Sequence, residues 1–128
     1  MAERHVPNRL ISRAVVLLAL SGCVATSDIS RARARDLVAH GAQLVDVRSP
    51  GEFAERHPDA AINIPLESIT LKMDALDRRR PVIVYCHTGV RAAIAARRFR
   101  RAGFGEVYNL GTVGHWYYER VGVAPSFE

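Results

Sequence analysis

Apolar runs and amphipathic segments alternate along the chain from residue 30 onward. Runs rich in aliphatic and β-branched residues predict four buried strands, at 43–47, 61–64, 82–85 and 106–110. Apolar positions at helical spacing predict helices at 31–40, 66–76 and 90–102, a single helical turn at 50–56 and a short helix around Trp116. Strands separated by helices favour parallel pairing through right-handed crossovers. We therefore predict an α/β fold, a small three-layer sandwich in which helices flank a mainly parallel sheet.

The first 22 residues follow a different pattern. Three arginines precede residues 14–20, an apolar stretch much shorter than the roughly 18 residues that a membrane-spanning helix needs. The stretch ends in Leu20-Ser21-Gly22-Cys23, which resembles the lipobox of bacterial lipoproteins. The resemblance implies a signal peptide at 1–22, acylation of Cys23, a lipidated tether at 23–29 and a domain at 30–128. The alternative is a buried N-terminal helix that happens to contain a cysteine.

The lipobox resemblance also sets the expected location of the protein and the state of its thiols. It implies an exported protein, held at the membrane of the periplasm or cell envelope by the lipid on Cys23. Two cysteines in an exported protein ordinarily suggest a disulfide. If Cys23 carries lipid, however, Cys86 is the only thiol left.

Composition and charge limit the partners. With 128 residues, 48% of them apolar, the chain can form one compact domain. Its net charge of +5 suits an anionic small molecule or a lipid surface and does not require nucleic acid. The arginines at 97, 98, 100 and 101 are not interleaved with aromatic residues, so we expect a solvated helix face or, in a lipid-anchored protein, a face on anionic headgroups. We predict no nucleic-acid partner.

Cys86 lies where an apolar run ends and a short loop leads into the helix predicted at 90–102. Amide N–H groups of such a loop and the dipole of the following helix favour the thiolate over the thiol, which makes Cys86 the candidate catalytic nucleophile. Gly89 permits the positive φ that a curled loop often needs, and Arg91 adds a full positive charge. The alternative is an inert, buried cysteine. The catalytic interpretation requires an ionised thiol that solvent can reach.

The length of the loop favours one chemistry over another. Four residues separate Cys86 from Arg91, whereas the similar loops of cysteine-dependent phosphatases and arsenate reductases have five. A tighter ring suits one extra sulfur atom on the thiol better than a tetrahedral phosphate. We predict that the loop binds the substrate, with His87 and Thr88 contributing backbone amides; its substrate-binding residues are His87, Thr88, Gly89, Val90 and Arg91.

Five segments together resemble a single-domain rhodanese, a sulfurtransferase of the thiosulfate:cyanide type. They are residues 44–53, His57, residues 61–66, residues 84–93, and residues 107–111 with Trp116. The resemblance implies a rhodanese-like fold and a double displacement through a persulfide on Cys86. It also implies a small anionic sulfur donor such as thiosulfate, a thiol or protein as sulfur acceptor, and no metal or organic cofactor.

Three further residues in these segments are candidates for supporting the site. Asp46 and Arg48 are charged residues at a buried strand end, where an ion pair would tie the strand to neighbouring loops. His57 is interpreted as a loop histidine with its hydrogen bonds satisfied. Two other functions stay open: a rhodanese-fold relay or binding module without turnover on small donors, and a cysteine-dependent phosphatase or arsenate reductase, which the loop length disfavours.

Overall fold

A computed structural model describes residues 28–118. The predicted signal peptide, Cys23 and most of the 23–29 tether lie outside these residues. The strands are β1 (Gln43–Asp46), β2 (Ala61–Asn63), β3 (Val82–Cys86) and β4 (Val107–Thr112). The helices are α1 (Arg31–Ala39), α2 (Pro50–Glu55), α3 (Ile69–Lys72), α4 (Val90–Arg101) and α5 (Val113–Tyr117). None of the helices in this part of the chain is long and apolar enough to cross a bilayer.

The strands form one parallel sheet in the order β2-β1-β3-β4. Parallel strands bring their carboxyl ends to the same edge, where ligands bind in α/β proteins. That edge carries Asp46, Asn63 and Cys86, the last residues of β1, β2 and β3. Asp46 is the register partner of both Asn63 and Tyr85. The predicted α/β class and the parallel sheet are confirmed.

The two faces of the sheet carry separate apolar clusters, because successive side chains of a strand point to opposite faces. Cys86 belongs to the cluster formed with α4 and with residues 66–76. Tyr85, its neighbour in the chain, belongs to the cluster formed with α1 and α5. Helices therefore cover both faces, which gives the predicted three layers.

The segment 66–76 differs from the continuous helix that the sequence predicts. It consists of a 3-10 turn at Leu66–Ser68, the short helix α3 and a second 3-10 turn at Met73–Ala75. The apolar spacing is nevertheless satisfied, because Ile69, Met73 and Leu76 are buried. A 3-10 turn places residues i and i+3 on one side, so this spacing does not distinguish it from an α-helix.

The end of the domain also differs from its prediction. Strand β4 continues to Thr112, past the predicted end at residue 110, and α5 follows directly. The pairing of β3 with β4 shifts between Val84 and Tyr85, where one additional residue enters β4. Gly111 accommodates this irregularity with a φ of +84°, and its N–H donates to the Asn109 side chain over 2.8 Å.

Candidate active site

Strand β3 delivers Cys86 to the sheet edge, one residue further along the strand than predicted. Gly89 is the N-cap of α4 and has a φ of +95°. This is the left-handed conformation that a glycine adopts readily and that the sequence predicted for this position. This curl directs the Gly89 N–H at the Cys86 sulfur, over 2.9 Å. The loop therefore presents at least one main-chain donor to the sulfur, at the N-terminus of a twelve-residue helix.

Cys86 has no exposed surface, whereas the catalytic interpretation of the sequence expects a thiol that solvent can reach. The difference arises because Cys86 is still part of β3, and strand alternation turns its side chain into the cluster shared with Ala92 and Ala95 of α4. The Gly89 amide meets the sulfur on the loop side. A donor can therefore reach the sulfur only if the residues around it move.

The exposed part of the loop consists of His87, Thr88 and Val90. Val90 is 57% exposed although it is apolar. The side chains of His87 and Thr88 form no hydrogen bond within residues 28–118. These residues are therefore the part of the loop that solvent reaches, while Cys86 and Gly89 are buried.

Arg91 is held by Glu52 of α2, a residue that the sequence analysis missed. Two hydrogen bonds join the guanidinium to the carboxylate, with Nη1–Oε2 at 2.8 Å and Nη2–Oε1 at 2.9 Å. Glu52 also accepts from the Ser49 N–H over 2.9 Å, in the capping box that starts α2. The sequence contains the signal for this cap, Ser-Pro-Gly-Glu, but gives no indication of the contact with a helix 39 positions away.

The pairing affects the charge of both groups. The hydrogen bonds from Arg91 hold the pKa of the Glu52 carboxyl well below its usual value. The same hydrogen bonds raise the pKa of the Arg91 guanidinium. The Cys86 sulfur adds a smaller contribution that also raises the pKa of Arg91. Arg91 therefore stays charged beside the loop. The Glu52 carboxylate partly neutralises this charge, so Arg91 is not the free cation that the sequence suggests.

A buried network of charge and hydrogen bonds supports the same sheet edge. Arg48 Nη2 lies 2.6 Å from Asp46 Oδ2, and the Tyr85 hydroxyl donates to the same oxygen over 2.6 Å. Arg48 Nη2 also donates to the carbonyl of Arg56, 2.7 Å away, which ties the strand end to the end of α2. Hydrogen bonding to Asp46 raises the pKa of Arg48, and burial raises that of Tyr85 far above its usual range.

Two other side chains complete this support. Asn63 donates from its amide to the carbonyls of Asp46 and Arg48, at 3.0 Å each, and so joins β2 to the end of β1. His57 stacks on Phe53 with ring centroids 3.6 Å apart, and its Nδ1 lies 2.6 Å from the Phe53 carbonyl. His57 thus holds the loop after α2. Neither Tyr85 nor Asn63 was selected from the sequence, because each becomes a partner of Asp46 only through strand pairing.

The arrangement does not resemble a metal centre. Within the described range, no three His, Cys, Asp or Glu side chains are placed to hold an ion. The site instead consists of the Cys86 thiol, the Gly89 amide directed at it and the Arg91 guanidinium, which is paired with Glu52. This combination can stabilise a sulfur anion and attack a sulfur atom that carries a leaving group.

The fold and the loop define a parallel α/β protein with a cysteine at the carboxyl edge of its central strand. Residues 30–115 match the family of the Rhodanese-like domain. The chain belongs to the rhodanese-like domain family.

Relatives and solved structures agree with this assignment. The chain is 42% identical over 69 residues to "Uncharacterized protein YqhL" of Bacillus subtilis and spans 55% of that protein. It is 37% identical over 82 residues to "Thiosulfate sulfurtransferase GlpE" of Pseudomonas aeruginosa, which covers 64% of this chain and 74% of the relative. The solved structure "rhodanese with anions from E. coli" has a TM-score of 0.56 and 30% identity, over 59% of this chain and 91% of that one.

Proposed function

We propose that the protein transfers a sulfane sulfur atom from a small anionic donor such as thiosulfate to a thiophilic acceptor, through a persulfide on Cys86. The observation that carries the proposal is the Gly89 N–H directed at the Cys86 sulfur over 2.9 Å, inside a loop with only four residues between cysteine and arginine. Membership of the rhodanese-like family, with a relative named thiosulfate sulfurtransferase, supports it.

The reaction proceeds in two displacements. The Cys86 thiolate attacks the outer sulfur of thiosulfate, an S–S bond forms to the enzyme, and the S–S bond of the donor breaks so that sulfite leaves with the electron pair. The loop donors stabilise the resulting persulfide anion. A thiol, a protein thiol or cyanide then attacks the outer sulfur, and the thiolate of Cys86 is released again. No net oxidation of the protein occurs.

Access to the buried sulfur is the structural requirement of this mechanism. Cys86 is wholly covered, so the residues around its sulfur must move before a donor can react. A thiol that stays unreactive toward iodoacetamide in the folded protein at neutral pH would contradict the mechanism. A thiol that reacts, and that thiosulfate protects from the reagent, would support it.

We expect the purified full chain to gain the mass of one sulfur atom on incubation with thiosulfate, because a persulfide is the stable product of the first displacement. Cys86→Ala should gain none. Cys23→Ala is the matched control, since it removes the other cysteine of the chain and should load as the wild type does. Intact-mass spectrometry before and after addition of cyanide measures loading and release.

The outcomes separate the competing functions. The wild-type chain could gain no sulfur from thiosulfate yet accept it from a persulfide-bearing protein. That outcome would support a sulfur-relay module and contradict the enzyme. Hydrolysis of an aryl phosphate that depends on Cys86 would replace it with a phosphatase. Loading that survives in Cys86→Ala would remove the assigned nucleophile.

We also propose that the protein is exported and anchored to the membrane by lipid on Cys23, which lies outside the described residues. The support is the order of basic residues, apolar stretch and Leu20-Ser21-Gly22-Cys23 in the sequence. Radiolabelled palmitate is expected to enter the wild type and not Cys23→Ala, with Cys86→Ala labelled as the wild type is. Equal labelling of the wild type and Cys23→Ala would contradict the anchor.

A further inference from the structure

Exposed arginines gather at the end of the domain opposite the Cys86 loop. Strand β3 runs from this end toward the loop and α4 returns, so the last turn of α4 lies beside the residues that precede β3. Arg78 Nε donates to the Ala102 carbonyl over 3.2 Å and joins the two segments. We call this surface the basic end; it comprises Arg78, Arg79, Arg80, Arg97, Arg100 and Arg101. Helix α4, twelve residues and about 18 Å long, runs from the loop to this end, where its last turn contributes Arg100 and Arg101.

Acidic neighbours neutralise only part of the basic end. Three arginines are in ion pairs, Arg78 with Asp74, Arg79 with Asp77 and Arg100 with Asp28. The other three have no carboxylate partner within residues 28–118: Arg80, Arg97 and Arg101. Arg98 does not belong to this surface, because its Nη1 donates to the Leu66 carbonyl over 3.1 Å, toward the loop end of the domain. Glu106 lies at the same end and offsets one of these charges, so an exposed positive surface remains.

The chain enters the domain beside this surface. Asp28, the first described residue, pairs with Arg100 over 2.8 Å, and its N–H donates to the Asn109 carbonyl over 2.8 Å. Cys23 stands five positions earlier, and at about 3.6 Å per residue the two can be at most about 18 Å apart. A lipid on Cys23 would therefore hold the membrane within this reach of Arg100.

We propose that the basic end rests on anionic lipid headgroups of the membrane that holds Cys23, so that the Cys86 loop faces the aqueous phase. This inference rests on the lipid anchor in the proposed function. Each arginine close to an anionic surface strengthens association about fivefold, and the effect is screened by salt. Three arginines without carboxylate partners, beside the point where the tether enters, are therefore sufficient to bias a tethered domain toward one orientation.

This orientation has a consequence for the sulfur acceptor. With the basic end on the lipid, the exposed residues His87, Thr88 and Val90 are presented to solvent about one helix length above the membrane. A water-soluble donor and a protein acceptor can then both reach the loop without entering the headgroup layer.

Two exposed glycines allow the orientation to be measured. Gly105 lies in the turn at the basic end and Gly51 in α2 at the loop end, and a Cβ atom added at either meets no atom closer than 4.0 Å. Because the chain has a single tryptophan, Trp116→Phe provides a background without it. In this background Gly105→Trp and Gly51→Trp each place one fluorophore at one end. The full, lipidated chain is reconstituted into phosphatidylcholine vesicles with or without phosphatidylglycerol, doped with a headgroup nitroxide lipid.

We expect the nitroxide to quench Gly105→Trp several times more strongly than Gly51→Trp in vesicles that contain phosphatidylglycerol. The difference should shrink in high salt and in phosphatidylcholine alone. Replacing Arg97 and Arg101 with glutamine should shrink it too. The matched control, glutamine at Arg33 and Arg35, removes the same charge from α1 on the other face of the sheet and should leave the difference unchanged.

The outcomes distinguish failure of the orientation from failure of the anchor. Equal quenching of the two reporters, or stronger quenching of Gly51→Trp, would overturn the orientation while palmitate labelling of Cys23 stays intact. A soluble polyanion would then be the better partner for the arginines. Absence of palmitate labelling would overturn the anchor and the argument from the tether together, while sulfur loading of Cys86 would be unaffected.

Discussion

Asp46→Asn is expected to lower the free energy of unfolding by about 3–5 kcal/mol, because it leaves a buried cation without its counter-charge. Asp46 is fully buried and Arg48 is only 6% exposed. The carboxylate accepts from Arg48 Nε and Nη2, from the Arg48 N–H and from the Tyr85 hydroxyl. An asparagine side chain has one acceptor oxygen and two N–H donors, so it cannot satisfy these donors. Urea denaturation followed by circular dichroism measures the loss.

An exposed aspartate–arginine pair provides the matched control. Asp74 pairs with Arg78 at 2.8 Å, but its side chain is 75% exposed. Asp74→Asn should therefore cost less than about 1 kcal/mol. If Asp46→Asn does not fold, Tyr85→Phe tests the same network, since it removes one hydrogen bond and should cost about 1 kcal/mol. Equal losses in Asp46→Asn and Asp74→Asn would contradict a buried, energetically important pair.

Glu52→Gln and Arg91→Gln are expected to change the capture of thiosulfate in opposite directions. Glutamine at 52 keeps a carbonyl oxygen for the Ser49 N–H but releases the full charge of Arg91, so kcat/KM for the anionic donor should rise about tenfold at low salt. Glutamine at 91 leaves the Glu52 carboxylate unpaired beside the loop, so kcat/KM should fall by about the same factor. Steady-state kinetics with thiosulfate and cyanide measure both effects.

Salt and the double variant test the electrostatic origin of these changes. Both effects should decrease as ionic strength rises, because half-exposed charges are screened. The double variant, glutamine at both positions, should return toward the wild type. A fall of similar size in both single variants, insensitive to salt, would instead show that the ion pair acts only by holding α2 against the loop.

The order of elements could be predicted from the sequence because each signal was local. β-Branched runs predicted the four strands. The side chains of Ser30 and Ser49 cap α1 and α2 from the positions directly before the predicted helix starts at 31 and 50. The prediction of one continuous helix over 66–76 was wrong. Apolar spacing indicates which residues are buried but not which carbonyl each N–H donates to. The extension of β4 to Thr112 depends on Gly111 and on pairing with β3, which no local pattern reports.

The same distinction applies to the site. Cys86 and the glycine that curls its loop were found because they are adjacent in sequence, and the positive φ of Gly89 was anticipated. Glu52 was missed because its contact with Arg91 is tertiary, and Tyr85 because its pairing with Asp46 depends on strand register. The complete burial of Cys86 was not anticipated either, since it follows from the continuation of β3 through the cysteine.

The alternation of side chains along β3 separates the environment of the Cys86 sulfur from the layer on the opposite face of the sheet. Cys86 faces α4, while Tyr85 faces the layer built by α1 and α5. The sheet therefore lies between the sulfur and any substitution in α1 or α5. Changes to the outer surface of that layer can therefore alter what docks there without rebuilding the environment of the nucleophile.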